Sequence, residues 1–204
     1  MVEEGRPLSR KEVAEVMRTF ARLLDRTAMV ILCGSVPKGC GEDFHARLTR
    51  MAAKRAIPVL VDAQVMQLRN AVREHPFAVR ITRDELAEAT GMSCHTTVGV
   101  VRAARKLVAR GAQWAIISDG GNPVTALDAA RCWRIRPPRI KVGNPIGSGD
   151  AMMAGIAVGL AQTRDMREAL RLGIACGAAN AMTATSVEME VRVARKLMAL
   201  VRFG

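Results

Sequence analysis

Residues 143–155 read GNPIGSGDAMMAG: a turn-rich lead, two glycines around a serine, one acid, then a run of good helix formers. Glycine admits backbone conformations that a side chain blocks, so Gly147, Ser148 and Gly149 are expected to form a tight loop with converging backbone N–H groups. A helix is expected to start near Asp150. Its first N–H groups have no intrahelical partners and carry roughly half a positive charge, which suits a phosphate or a developing anion. The Asp150 carboxylate at that rim has two readings, an N-terminal cap or a general base. GxGD by itself does not choose between them.

Working outward, the segment before this stretch alternates between two periodicities. Residues 9–25 place Val13, Val16, Met17, Phe20, Leu23 and Leu24 on one helical face, with Ser9 and Glu12 spaced as a capping box. Residues 28–33 (AMVILC) form a short apolar run of the kind buried on both faces of a sheet, followed by GSVPKGCG. A loop at the carboxyl end of such a strand is where open α/β sheets bind ligands. Helix 42–55, strand 58–62, helix 65–73, strand 77–81, helix 82–91 between Thr82 and Gly91, helix 97–110 and strand 113–117 continue the pattern. Four strand–helix alternations predict a parallel sheet covered by helices.

After SDGGNP (118–123), strands 124–127 and 132–135 around DAAR read as a hairpin. Beyond the glycine loop come two helices rich in small residues, to Ala161 and from Met166 to about Met182, and an amphipathic helix over 188–201. Ala151, Gly155 and Gly159 recur every fourth residue, which predicts a close helix–helix contact that holds the preceding loop rigid.

Composition narrows the function. The chain of 204 residues is 50% hydrophobic, enough for one domain with a substantial core. The longest uncharged apolar run, Leu172–Val187, is shorter than the ~20 residues of a membrane span, and the charged start lacks the apolar segment of a signal peptide. A cytoplasmic protein without membrane partners is expected. Five cysteines without a CxxC pair and three scattered histidines give no disulfide framework or ligand spacing for zinc. The net charge of +12 invites a nucleic-acid reading. Against it, the 25 arginines are spread over the predicted helices, and no tyrosine and only four phenylalanines are present to stack on bases. The positive field suits phosphorylated small molecules instead, and nucleic acid is not an expected partner.

Three pieces then fall in one order: a strand with GSVPKG (34–39), a strand with RITRDEL (80–86), and SDGG (118–121) followed by NPIGSGDAMMAG (144–155). Together they resemble the PfkB carbohydrate kinases of the ribokinase-like superfamily, nearest the 1-phosphofructokinase and tagatose-6-phosphate kinase branch, from about Leu8 to Ala184. The resemblance implies one ribokinase-like α/β domain over residues 1–204, a doubly wound, mostly parallel sheet flanked by helices. It implies an ATP-dependent kinase that phosphorylates a hydroxyl of a phosphosugar, with Mg²⁺. Asp150 becomes the implied base. Gly147, Ser148 and Gly149 become the anion hole. Thr82, Glu85, Ser118, Gly120 and Asn144 fall on the nucleotide side, with Glu85 reaching magnesium through water. Gly34, Ser35 and Gly39, with Pro37, fall on the sugar side.

Departures from that pattern carry their own expectations. Thr82 stands where the family has asparagine, Pro145 where a small hydroxyl residue is usual, Pro123 where the nucleotide loop has glycine, and Arg80 where a lysine precedes the Asn-x-x-Glu element. Family members also carry strands and a lid ahead of the matched region, the usual dimer contact. Their lack here predicts about two-thirds of the family fold and an unpaired sheet edge. It also supports a second reading, a truncated, nucleotide-binding but inactive relative. A homodimer is a further expectation of the resemblance.

Overall fold

A computed structural model describes residues 5–185 and 188–204; the charged lead Met1–Glu4 and the end of the apolar run at Val187 lie outside them. The first half alternates as its periodicity predicts: α1 (Arg10–Leu23), β1 (Val30–Gly34), α2 (Phe44–Ala53), β2 (Val59–Ala63), α3 (Val65–Ala71), β3 (Ala78–Thr82), α4 (Arg83–Thr90), α5 (Thr97–Ala109) and β4 (Trp114–Ser118). Ser9 and Glu12 form the expected capping box on α1, and Thr82 and Glu85 form a second one on α4. Each satisfies two backbone donors that the helix start leaves unpaired.

The second half is β5 (Val124–Leu127), β6 (Cys132–Arg136), α6 (Ser148–Thr163), α7 (Met166–Ala181), α8 (Val191–Met198) and β7 (Arg202–Phe203). All seven strands join one sheet in sequence order. Strands β1–β4 pair in parallel, and β5–β7 add an antiparallel wing. The two residues of β7 are too short for any periodic signal to reveal. Strand β1 pairs with β2 alone, so its other edge is open among the described residues, as the resemblance implied.

The pleat divides the core in two. Val59, Val61, Val79, Ile81 and Ile117 point to the layer built by α1–α5, whereas Leu60, Ala78, Ile116 and Val124 point to the layer of α6–α8. Helices flank both faces, and the carboxyl ends of β1–β4 open along one rim.

Close packing of α6 on α7 fixes the glycine loop. A Cβ at Gly155 would meet Cys176 Sγ and the Gly173 backbone at 2.8 Å, and one at Gly159 would meet Ala169 Cα at 2.6 Å. The four-residue stripe is therefore the helix contact that its spacing predicted. From the α7 side, a Cβ at Gly173 would lie 2.4 Å from Ile156 Cγ1 and 2.7 Å from the Met152 carbonyl. A backbone oxygen cannot rotate away, so Gly173→Ala must part the two helices. The expected cost is about 1–3 kcal/mol, read as a lower urea midpoint at unchanged m-value.

Candidate functional site

The site grows from the start of α6. Gly147 adopts φ +79°, a left-handed turn for which glycine is suited, and Gly147 occupies the N-cap position without a side-chain cap. The Ser148 N–H donates to the Pro145 carbonyl at 3.2 Å and closes the turn. That amide is thus engaged within the loop, contrary to its expected place in a free anion hole. The N–H groups of Gly147, Gly149 and Asp150 have no partner among the described residues. The Asp150 side chain makes no capping hydrogen bond, so the capping reading of this acid does not hold in the structure.

Two buried or half-buried amides hold the loop in shape. Asn180, fully buried on α7, donates from Nδ2 to the Ile146 carbonyl at 2.8 Å and to Ser148 Oγ at 3.2 Å. Asn144 accepts from the Ile146 N–H at 3.0 Å and donates to the Ala184 carbonyl at 3.3 Å. Asn144 lines neither cavity of the site; it is part of the loop's frame.

Two cavities meet at Gly149 and Arg80. The larger, about 350 Å³, lies between the sheet and α6–α7, walled by Val124, Pro138, Ile140, Met152 and Ile174, with Thr82, Ser118 and Gly120 at its polar end. The smaller, about 240 Å³, is lined by Gly34, Ser35, Asp62, Glu85, Gly147 and Asp150. Between them Arg80 donates from Nη1 to Asp62 Oδ2 at 3.1 Å and from Nη2 to Ser118 Oγ at 2.7 Å. Its buried Nε has no partner. The guanidinium is pinned by both strand neighbours and forms the wall between the cavities.

The smaller cavity is crowded with acid. Burial pushes the Asp62 carboxyl above its ordinary range, and the nearby charges of Asp150 and Glu85 add to the rise while Arg80 opposes it. One ligand atom each from Cys33, Asp62 and Asp150 lie within 4.8 Å of one another. Burial also pushes the Cys33 thiol up to about 12, with the charges of Asp62 and Asp150 contributing, so at neutral pH Cys33 is a thiol and not a thiolate. Three carboxylates, Asp62, Glu85 and Asp150, share the cavity with one guanidinium, Arg80. Such an excess of hard oxygen ligands suits a divalent cation held partly through water.

Thr82 and Glu85 are less free than the sequence suggested. Glu85 Oε2 accepts from the Thr82 N–H at 2.9 Å and from Thr82 Oγ1 at 2.6 Å, so the threonine hydroxyl is spent inside the capping box. Glu85 Oε1 has no hydrogen bond among the described residues and remains available to a magnesium-bound water. The residues present therefore fit Mg²⁺ as a water-mediated ligand set and not as an all-protein cage.

Of the sequence-predicted residues, Gly147, Ser148, Gly149, Asp150, Thr82, Glu85, Ser118, Gly120, Gly34 and Ser35 converge on this rim. Gly39 does not: a Cβ there would lie 2.2 Å from the Leu8 carbonyl, and the residue packs against the chain ahead of α1. Asp62, Cys33 and Asn180 were missed. The first two sit at the carboxyl ends of adjacent parallel strands, the place where open α/β sheets bind ligands, which is the signal that points to them. Asn180 had a signal too, as a lone amide in a helix of small residues.

The profile of the pfkB family carbohydrate kinase matches residues 4–188. Tagatose-6-phosphate kinase of Staphylococcus epidermidis is 29% identical over 185 residues, 89% of this chain and 60% of that protein. Phosphofructokinase-2 from Escherichia coli, solved in complex with potassium, superposes with a TM-score of 0.89 at 23% identity, over 98% of this chain and 65% of that one. A ribokinase from Arabidopsis thaliana, complexed with ribose and ATP, superposes with a TM-score of 0.73 at 16% identity, over 96% and 61%. The chain spans about 60% of the length of the curated relatives it matches. No helix among the described residues is long and apolar enough to cross a membrane.

Proposed function

The chain belongs to the pfkB family of carbohydrate kinases, and from that premise we propose that it carries the phosphoryl-transfer centre of an ATP-dependent kinase acting on a hydroxyl of a phosphosugar. The observation that supports this best is the meeting of two cavities at one glycine loop. ATP takes the larger, apolar cavity, with its base against Ile140, Val142 and Ile174 and its phosphates toward Gly120, Ser118 and the loop. The acceptor hydroxyl takes the smaller one, beside Asp150, Gly34 and Ser35.

In this reading Asp150 takes the proton from the acceptor hydroxyl as its oxygen attacks the γ-phosphorus, and the bond from that phosphorus to the β–γ bridging oxygen breaks to release ADP. The unpaired amides of Gly147, Gly149 and Asp150 hold the charge on the transferring group. Positioning and charge stabilisation supply most of the rate in such reactions. Arg80, fixed between Asp62 and Ser118, faces both substrates and neutralises charge where they meet. Mg²⁺, held by Glu85 through water and by the phosphates themselves, would neutralise the β- and γ-oxygens. In this reading the protein works in the cytoplasm, where its substrates are, and a homodimer is compatible with the open β1 edge.

A second reading is a nucleotide-binding relative without kinase activity. The chain spans only 60% of its relatives, and Thr82 has spent its hydroxyl on Glu85. A coupled assay of ADP release with fructose 1-phosphate, fructose 6-phosphate and tagatose 6-phosphate separates the two. Sugar-dependent release is expected. Nucleotide binding without release from any of the three would select the second reading.

A further inference from the structure

A third cavity, about 270 Å³, lies on the opposite face of the sheet from the apolar one, under the start of α5. Its floor is a row across three strands. Ile117 pairs with Thr125, and Thr125 pairs with Arg134, so all three side chains point to the same face. The walls are Arg83, His95, Thr97 and the loop residues Asp119, Asn122 and Pro123.

The polar groups here are not balanced within the protein. Thr125 is 5% exposed, and its hydroxyl has no hydrogen-bond partner among the described residues although it faces the cavity. That hydroxyl opens on the cavity and meets no acceptor of the described residues there, so it is free to donate to a ligand. The Arg134 guanidinium beside it has no ion pair or hydrogen bond among the described residues. Arg83 donates to Asp119 Oδ2 at 3.1 Å, and Asn122 donates to the same oxygen at 3.3 Å. That oxygen is thus taken up by Arg83 and Asn122, which leave the Arg134 charge without a counter-charge beside it among the described residues. The α5 start adds the N–H groups of Thr97 and Val98, ahead of the Gly99 N–H that the Thr96 hydroxyl caps.

We propose that this pocket is a second ligand site, for a small oxyanion of the phosphate type. The hydroxyl of Thr125, the guanidinium of Arg134 and the first amides of α5 donate to it. The site is separate from the anion hole of α6, since Thr125 faces α5 whereas its neighbour Val124 faces α6–α7. One loop joins the two sites. Asp119, Asn122 and Pro123 line the anion pocket, while Ser118, Gly120 and Gly121 line the apolar cavity. An oxyanion that fixes the first group fixes the second, so it slows the exchange of a bound nucleotide.

The test uses the full chain and inorganic phosphate, with a non-hydrolysable ATP analogue held at saturation to fill the glycine-loop site. Phosphate is expected to shift the His95 ring resonances, assigned through a His95→Gln variant. Arg134→Ala, at an exposed position, and Thr125→Val are each expected to weaken that titration about tenfold, the loss of one strong donor. Nucleotide affinity without phosphate stays unchanged in both, which also reports that they fold. Phosphate is further expected to slow dissociation of the bound analogue severalfold in the unsubstituted protein, an effect that competition at the nucleotide site cannot produce. Absence of the His95 shift, or the same titration in both variants, would overturn the site. An unchanged dissociation rate would overturn the coupling.

Discussion

Asp150→Ala is expected to lower turnover by about 10² to 10⁴-fold, the range for loss of a positioned general base, with nucleotide affinity retained. The geometry allows a clean reading because the side-chain partner of this carboxylate among the described residues is the weakly donating Cys33 thiol. Asp150 is exposed, it lines the smaller cavity, and it makes no capping hydrogen bond to α6. Its remaining structural effect is that of an acid in the first turn of a helix, worth about 0.3–1 kcal/mol. Turnover and stability should therefore separate. Were Asp150 the cap, removal would cost about 0.5–2 kcal/mol with little loss of rate. Sugar-dependent turnover and a urea melt on one preparation distinguish the outcomes. Turnover within a factor of a few of the unsubstituted protein would remove the base from the proposed mechanism.

What the sequence disclosed and what it withheld follow from the range of the interactions involved. The capping box at Ser9–Glu12, the Thr82 cap of α4, the two-faced strands and the small-residue stripe of α6 are local patterns, and each appears in the structure where its spacing placed it. The family resemblance points to most of the residues that converge on the rim. Pairings across strands were not legible. Asp62 is 18 residues from Arg80, and Arg80 is 38 from Ser118, yet the three make one chain of hydrogen bonds because β2, β3 and β4 are adjacent in the sheet. Cysteine spacing is equally silent on the neighbourhood of Cys33, because β1, β2 and α6 are what bring its sulfur within 4.8 Å of an oxygen of Asp62 and of Asp150. Gly39 failed for the opposite reason. Its motif has the look of a ligand loop, while its packing partner, the Leu8 carbonyl, lies 31 residues earlier in the chain.

The same chain of hydrogen bonds makes Gly149 the most sensitive backbone position in the site. A Cβ there would lie 2.6 Å from Arg80 Nη1, 3.0 Å from Cζ and 3.1 Å from Asp62 Oδ2. An ordinary arginine tip would swing aside at little cost. Arg80 cannot, because Nη1 is bound to Asp62, Nη2 to Ser118, and Nε is enclosed without a partner. Gly149→Ala must then push the loop outward or break the Asp62–Arg80 pair. Either result moves the amides of Gly149 and Asp150 relative to the transferring phosphoryl group. A drop in turnover of about 10²-fold is expected, the scale for a misplacement near 1 Å or the loss of one oxyanion donor. The cause can be isolated with Arg80→Lys, whose slimmer ammonium leaves room for the methyl group. If contact with the guanidinium is the mechanism, Gly149→Ala costs far less in the Arg80→Lys background than alone, a non-additivity that a double-mutant cycle measures. Equal losses in both backgrounds would place the damage in the loop's own conformation. Arg80 would then have no part in setting the amides.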